Sequence, residues 1–232
     1  MSERRATNWL LFQSGQGGYA FNMALDEALL EAMPRLCQPV LRFYSWAEKA
    51  ASFGYFQKYA AIERMTVLRP LVRRPTAGGL VPHDADWTYS LAFPASNDWY
   101  SLSARESYQR VHRWLQAALA RLNLTTELAL SSRKAQPGQC FAGYEVSDVL
   151  WRGQKIAGAA QRRTRGGLLI QGAIQPPPVP LARAEWQNAM CEVAKLEQGV
   201  CWRTLEQDTA LRRRALELAR QKYSEPNYNR KR

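Results

Sequence analysis

The stretch YEVSDVLWRGQKIAGAAQRRTRGGLLIQGAI (144–174) decides the fold class that the sequence predicts. Three runs of apolar or small residues are separated by a Gly-Gln turn and a Gly-Gly turn, which is typical of an antiparallel strand meander. Further aromatic and β-branched runs at 8–13, 39–46, 51–56 and 86–93 predict more strands. The sequence therefore predicts a sheet that is mainly antiparallel.

Helical spacing of apolar residues appears on both sides of these strands. The first such pattern spans 21–32 and should stop before Pro34, because proline cannot donate a helical hydrogen bond. The clearest amphipathic pattern covers 104–122, and two more helices are expected around 183–196 and 205–222. We predict an α+β fold, with one mainly antiparallel sheet flanked by helices.

Chain length and the absence of an obvious linker bear on domain organisation. The 232 residues can bury one sizeable core, and no internal repeat divides them. We expect residues 1–232 to form a single domain whose C-terminal part, from about 183 to 232, is helical.

The charge balance is strongly basic, with 32 Lys and Arg against 20 Asp and Glu and a net charge of +12. Such a balance favours polyanionic or acidic partners without indicating a fold. Nucleic acid is one such partner, but the basic residues are spread along the chain and no nucleic-acid-binding motif accompanies them. An acidic protein is therefore the expected partner, with nucleic acid as the disfavoured alternative.

Cysteine usage and hydropathy indicate a cytoplasmic protein. No apolar run is long enough for a membrane span, and the N-terminal one is too short for a signal-peptide core. The four cysteines lack metal-site spacing, which suggests reduced thiols: Cys37, Cys140, Cys191 and Cys201. With only two histidines in the chain, we expect no metal site.

The segment RRPTAGGLVPHDADWTYS (73–90) is a candidate anion site. Paired glycines let backbone N–H groups approach a ligand, and the neighbouring arginines can neutralise a carboxylate or phosphate. A tight turn between strands with two surface arginines would produce the same pattern, and the residues alone leave both interpretations open.

Lys155 and Cys140 are the other candidates for chemistry. Lys155 follows a turn and precedes the small residues Gly158, Ala159 and Ala160, so it could hold an acyl carbonyl or phosphate. Cys140 could act as a nucleophile if a cation favours its thiolate. A solvated lysine at a strand edge and a small buried cysteine are the simpler alternatives.

Four segments together resemble one enzyme family. YAFNMALDEALL (19–30), LRFYSWAEKAASFGYFQ (41–57), 73–90 and GQKIAGAAQRR (153–163) follow the order and spacing of the lipoate–protein ligase and octanoyltransferase family. The resemblance extends over about 8–175 and implies the fold shared with biotin–protein ligases, without the fused accessory domain of long ligases. It also implies attachment of octanoyl or lipoyl groups to a lysine of a lipoyl-carrier domain.

The resemblance assigns roles to individual positions. Lys155 matches the lysine that contacts the acyl carbonyl. Ala77 departs from the family pattern, which has glycine there, and this substitution would restrict the turn. The implied acyl- or adenylate-binding residues are Arg73, Thr76, Gly78, Gly79, His83, Asp148, Gly158 and Ala159.

Two reactions fit these residues. A ligase would activate lipoate or octanoate with ATP and Mg²⁺, and Gly79 with Ser147-Asp148 resembles the ligases. An octanoyltransferase would need no cofactor, because Cys140 would take octanoyl from an acyl carrier protein as a thioester. Cys140 lies 15 residues before Lys155, as the nucleophile does in cysteine-type transferases. We favour the ATP-dependent lipoate–protein ligase, with the octanoyltransferase as the alternative.

The expected partners follow from the same resemblance. The acceptor is a lipoyl-carrier domain, commonly acidic, which the +12 charge would attract. A separate accessory ligase subunit or an acyl carrier protein is the further partner. A non-enzymatic accessory role is the rival interpretation, supported by Ala77 alone.

Overall fold

A computed structural model describes residues 7–133, 143–206 and 208–232. These residues contain eleven strands: β1 (Thr7–Gly17), β2 (Val40–Trp46), β3 (Ala50–Phe53), β4 (Leu71–Arg73), β5 (Val81–His83), β6 (Trp87–Pro94), β7 (Glu127–Leu128), β8 (Val149–Trp151), β9 (Gln154–Thr164), β10 (Gly167–Ile174) and β11 (Val200–Thr204).

The strands form a large sheet and a small one. The large sheet has the order β11-β1-β2-β6-β10-β9-β8-β7, and the small sheet has the order β4-β3-β5. Pairing is antiparallel from β2 through to β7, whereas β1 is parallel to both β2 and β11, and β3 is parallel to β4. The prediction of an α+β fold with a mainly antiparallel sheet is confirmed.

The helices of the described chain are α1 (Tyr19–Leu36), α2 (Tyr59–Glu63), α3 (Asp98–Ser101), α4 (Ala104–Ala120), α5 (Arg183–Gln198), α6 (Thr209–Leu218) and α7 (Pro226–Asn229), with a π-helical turn at Ala219–Tyr223. The N-terminus of α4 is closed by a capping box between Ser103 and Glu106, which satisfies two backbone donors.

Two helix boundaries differ from those predicted. Helix α1 continues through Pro34 and ends at Leu36, where Cys37 takes a left-handed conformation and its N–H donates to the Met33 carbonyl. Pro34 thus removes one helical hydrogen bond, the one to the Leu30 carbonyl, and the Cys37 N–H still closes the last turn on Met33. The predicted helix at 205–222 starts four residues late, at Thr209, because the Asp208 side chain caps the helix by accepting from the Leu211 N–H.

The two faces of the large sheet are covered by different helices. On one face, Val40, Tyr44 and Trp46 of β2 pack with α1 and α6. On the other, the alternate residues Leu41 and Phe43 pack with α4 and α5. The small sheet, with its own apolar cluster around Phe53, provides the second wall of the site described below.

Candidate functional site

A pocket opens between the two sheets, on the side of the large sheet that packs against α1. It encloses about 490 Å³ of empty space, part of it open to solvent. The residues from the sequence analysis that line it are Gly78, His83, Lys155, Gly158 and Ala159. Segments about 80 residues apart in the chain thus meet in one cavity.

The pocket walls are largely apolar. Met23 of α1, Val81 of β5, and the small residues Ala160 and Ala173 of the large sheet contribute to the lining. Such a surface suits an alkyl chain, since burial of apolar groups is favourable and small side chains leave room.

Lys155 supplies the positive charge at the start of β9. The β8–β9 hairpin turns through Arg152 and Gly153, both with positive φ, and pairs Lys155 with Leu150. The Lys155 Nζ lies 2.7 Å from Asp148 Oδ2, with the two side chains 8% and 0% exposed. The ion pair presents ammonium N–H donors at the pocket instead of a neutral amine.

Gly158 makes the position of this ammonium possible. A Cβ atom at residue 158 would lie 2.7 Å from Cε and 2.8 Å from Nζ of Lys155, closer than real contacts allow. The Lys155 side chain therefore lies over Gly158, which is three residues further along β9.

Asp148 has partners on both carboxylate oxygens. Oδ2 accepts from the Glu145 N–H at 2.7 Å in addition to pairing with Lys155, and Oδ1 accepts from the Tyr108 hydroxyl of α4. Burial, with the adjacent carboxylate as the next cause, raises the pKa of Tyr108 well above its ordinary value. The tyrosine is thus a neutral donor to a buried anion.

The glycine turn after β4 is held by Arg74. The Arg74 guanidinium lines the pocket and donates to the carbonyls of Ala77 and Gly79, each at 2.8 Å. Gly78 has φ +92, whereas Ala77 lies outside the left-handed region. The expectation that Ala77 restricts the turn is therefore wrong, because the conformation that needs glycine occurs at the next residue.

His83 is fixed by a set of polar and aromatic contacts. Its Nδ1 lies 2.8 Å from Asp86 Oδ2 and its Nε2 lies 2.8 Å from Ser52 Oγ. The ring stacks on Trp46 with 3.8 Å between centroids. The Asp86 carboxylate accepts from Nδ1, which leaves Nε2 to face the Ser52 hydroxyl. The Arg74 guanidinium also donates to the Ser52 hydroxyl, at 3.3 Å.

Arg73, which the sequence analysis placed at the pocket, lies elsewhere. Its fully buried guanidinium donates to the carbonyls of Tyr55, Gln57 and Asn229 at 2.7–2.8 Å. Consecutive residues of an extended chain point in opposite directions, so Arg74 faces the cavity when Arg73 faces the C-terminal segment. The sequence pattern of two adjacent arginines could not distinguish them.

Thr76 and Gly79 support the pocket without lining it. The Thr76 hydroxyl donates to Gln171 Oε1 at 2.7 Å, and Gln171 Nε2 donates to Asp26 Oδ2 at 2.7 Å. Asp26 in turn forms a buried ion pair with Arg42 at 2.6 Å. The pocket floor at Gln171 therefore rests on a buried, hydrogen-bonded polar network.

Several lining residues were missed by the sequence analysis. They include Tyr44, Ser52, Arg74, Thr88 and Gln171. Gln171 is the polar residue in the apolar run LLIQGAI, and this exception was a signal that could have indicated a site.

The candidate nucleophile Cys140 lies in 134–142, outside the described residues. Of the cysteines in the described parts, Cys37 and Cys201 are exposed. Cys191 is half-buried, and burial raises the pKa of its thiol to about 12. None of these three thiols lines the pocket.

The described parts of the chain contain neither a metal cluster nor a membrane-spanning helix. Across 7–133, 143–206 and 208–232, His, Cys, Asp and Glu side chains form no group of three or more that could hold a metal ion. No helix among them has the length and apolar character required to cross a membrane.

Solved structures similar to this chain are lipoate–protein ligases. A lipoate–protein ligase A bound with ATP aligns over 97% of this chain and 99% of its own, with a TM-score of 0.77 and 20% identity. A bi-partite lipoate protein ligase from Thermoplasma acidophilum, determined with its E2 lipoyl domain, aligns over 97% and 96% with a TM-score of 0.71 and 20% identity. These similarities establish the fold.

Proteins with similar sequences are named octanoyltransferases rather than ligases. A protein named octanoyltransferase LipM from Kyrpidia tusciae is 35% identical over 178 residues, which cover 72% of this chain and 65% of the relative. Octanoyltransferase LipM from Bacillus subtilis is 32% identical over 181 residues, covering 72% and 64%. The matched part of the chain spans less than two thirds of either relative's length.

The family model described as the lipoyl protein ligase A/B catalytic domain matches residues 18–175. This range contains every pocket residue named above and the four segments on which the resemblance rested. The chain belongs to the lipoyl protein ligase A/B catalytic domain family.

Proposed function

We propose that this chain is an octanoyltransferase, which moves an octanoyl group from an acyl carrier protein to a lysine of a lipoyl-carrier domain. The observation that supports acyl-group chemistry is the apolar pocket with Lys155 on its wall, held there by the buried Asp148 carboxylate. The sequence relatives, named octanoyltransferases, favour this reaction over the ATP-dependent ligase that the sequence analysis preferred.

In this proposal the pocket holds the octanoyl chain and Lys155 faces its carbonyl. Attack on the thioester places negative charge on that oxygen, and a preorganised ammonium in a water-poor site stabilises it. The Asp148 carboxylate and Gly158 keep the ammonium in place before the substrate arrives. Little reorganisation is then needed during the reaction.

The acyl transfer would proceed in two balanced steps. The Cys140 thiolate attacks the thioester carbonyl, the bond to the donor sulfur breaks, and the donor leaves as a thiolate that takes up a proton. The amine of the carrier lysine then attacks the octanoyl-Cys140 thioester. An amide forms, the lysine loses its proton, and the Cys140 thiolate is restored.

An ATP-dependent ligase is the second candidate, favoured by Gly79 and Asp148 in the sequence and by the likeness to an ATP-bound ligase. The cationic lining fits an anionic acyl-adenylate, with Arg74 and Lys155 as the residues that would face its phosphate. ATP and Mg²⁺ would supply activation of free lipoate or octanoate.

We expect the lipoyl-carrier domain to be an acidic protein. The +12 charge of the chain would steer this domain electrostatically, so the rate should fall as salt rises. A kcat/KM that stays constant from low to high ionic strength would contradict electrostatic steering.

The deciding experiment measures the intact mass of a lipoyl domain after incubation with the protein. One reaction contains octanoyl-acyl carrier protein without ATP, and the other contains octanoate or lipoate with ATP and Mg²⁺. We expect modification in the first reaction and its loss in Lys155→Ala. Modification only in the second would establish the ligase, and modification in neither would overturn both reactions for the isolated chain.

A further inference from the structure

We propose that Tyr108 is a positioning residue, whose hydroxyl orients the Asp148 carboxylate so that Asp148 holds Lys155 at the acyl carbonyl. This inference rests on the proposed function of the pocket. Tyr108 does not line the cavity, and it would act on the reaction through Asp148 alone.

The contacts of Asp148 show how the tyrosine could control it. Oδ2 is shared between Lys155 Nζ and the Glu145 N–H, both at 2.7 Å, whereas Oδ1 accepts from the Tyr108 hydroxyl. Because the carboxylate is planar, a partner on Oδ1 sets the direction of Oδ2. Loss of the hydroxyl would remove this partner of Oδ1, so that the orientation of a fully buried carboxylate would depend on the Glu145 N–H and Lys155 at Oδ2.

Helix α4 holds the tyrosine in register with the strand that carries Lys155. One residue before Tyr108, the Ser107 hydroxyl donates to Gln161 Oε1 at 3.0 Å. The Gln161 amide donates back to the Ala104 carbonyl at 2.7 Å. Since Gln161 and Lys155 both belong to β9, these hydrogen bonds fix the position of α4 relative to the strand that carries Lys155.

Among the ionisable groups near Asp148, Lys155 is the cationic partner of its carboxylate. His112, one turn after Tyr108, donates from Nδ1 to the Tyr108 carbonyl at 2.9 Å, and their rings lie 4.2 Å apart. Burial lowers the pKa of His112 to about 4, so this ring is neutral near pH 7. Lys155 is then the cation that faces the carboxylate, with Tyr108 as a neutral donor.

The test is Tyr108→Phe, which keeps the ring and removes the hydroxyl. We expect kcat for octanoyl transfer to fall about 10-fold with KM unchanged, because one hydrogen bond to a charged group is lost. The matched control is Tyr100→Phe, whose hydroxyl donates to the Thr164 carbonyl at 3.0 Å, away from Asp148. Equal rates for both variants would overturn the proposal.

A double substitution tests whether Tyr108 acts through Asp148. If it does, Tyr108→Phe combined with Asp148→Asn should be no slower than Asp148→Asn alone. Multiplied defects in the double variant would show that the tyrosine affects the reaction by another route and would overturn the inference.

A measurement independent of activity separates this inference from the proposed function. In protein labelled at lysine ¹³Cε, the Lys155 signal is assigned by its loss in Lys155→Arg. Tyr108→Phe should shift this signal, because Asp148 loses a partner that fixes its orientation towards the Lys155 ammonium, whereas Tyr100→Phe should leave the signal unchanged. An unaltered Lys155 signal in Tyr108→Phe would contradict the positioning role even if no octanoyl transfer were detected.

Discussion

At the residue scale, the site depends on a lysine that is folded over a glycine. Gly158→Ala places a methyl group within 3 Å of the end of the Lys155 chain. The ammonium must move, while the flexible chain can yield without disturbing the core. We expect octanoyl transfer to fall at least about 10-fold with little change in the free energy of unfolding.

Gly18→Ala is the matched control for this substitution. A Cβ atom at residue 18 would meet only the Glu48 carboxylate oxygens, at 3.8 Å, which is ordinary contact. Comparable losses of activity in the two variants would show that the space beside Lys155 is not what Gly158 provides.

His112 should make the fold sensitive to mild acid. Its pKa is lowered to about 4 chiefly by burial, with smaller opposing effects of Asp148 and Lys155, whereas an unfolded histidine titrates near 6.5. Below that value the unfolded chain binds the proton and the folded one does not, so stability is lost as pH falls from about 6.5 to about 4.

This predicts that about 2 kcal/mol of unfolding free energy is lost between pH 7 and pH 5 through this residue. Urea unfolding at the two pH values, compared with His112→Gln, isolates that contribution. An identical decline in His112→Gln would show that other groups cause the pH dependence.

The sequence located part of the site residue by residue. Gly78 was identified because paired glycines let backbone N–H groups approach a ligand, and Lys155 and Gly158 because a lysine beside small residues has room to hold one. The choice between Arg73 and Arg74 depended on which way β4 faces, and this is set by pairing with β3. Pairing register is a tertiary property that local pattern does not contain.

At the element scale, the short C-terminal helix α7 is attached to the strand that leads into the glycine turn. Asn229 accepts from the Arg73 N–H at 2.8 Å through its side chain and from the Arg73 guanidinium at 2.8 Å through its carbonyl. Its amide also donates to the Tyr223 carbonyl at 2.8 Å. One buried asparagine thus joins β4, α7 and the π-helical turn.

Asn229→Ala should destabilise the protein by about 1–3 kcal/mol, because it leaves the buried Arg73 N–H and Tyr223 carbonyl without these partners. Chemical denaturation measures the change. Arg230→Ala, at the exposed next position, serves as the control and should have a much smaller effect. An Asn229→Ala variant as stable as that control would show that α7 contributes nothing to holding β4.

Elements with strong local patterns were predicted well, and those that depend on distant partners were not. The amphipathic pattern of α4 and the runs of apolar or small residues around β6, β9 and β10 matched the observed elements closely. Strand β11 was missed because its five residues are stabilised by parallel pairing with β1, nearly 200 positions earlier in the chain. Pro34 was assigned too strong a breaking effect, since it removes a single helical hydrogen bond only two residues before α1 ends.

At the scale of the whole molecule, the fold places a few polar and charged side chains in a cavity whose walls are otherwise apolar. The small sheet supplies the glycine turn and His83, and the large sheet supplies Lys155 and the polar floor. This division explains why no single sequence motif defined the site. The mixed sheet was predicted only in its antiparallel part, although the predicted order of a strand at 8–13, a helix at 21–32 and a strand at 39–46 is the order that a parallel crossover through α1 requires.

We propose that the protein transfers octanoyl groups through a thioester on Cys140, and the intact mass of the protein shows whether this thioester forms. After incubation with octanoyl-acyl carrier protein in the absence of ATP and acceptor, the protein should gain the mass of one octanoyl group. The adduct should be absent from Cys140→Ser and retained in the control Cys201→Ser. No adduct on the unsubstituted protein, or an adduct that persists in Cys140→Ser, would contradict the account.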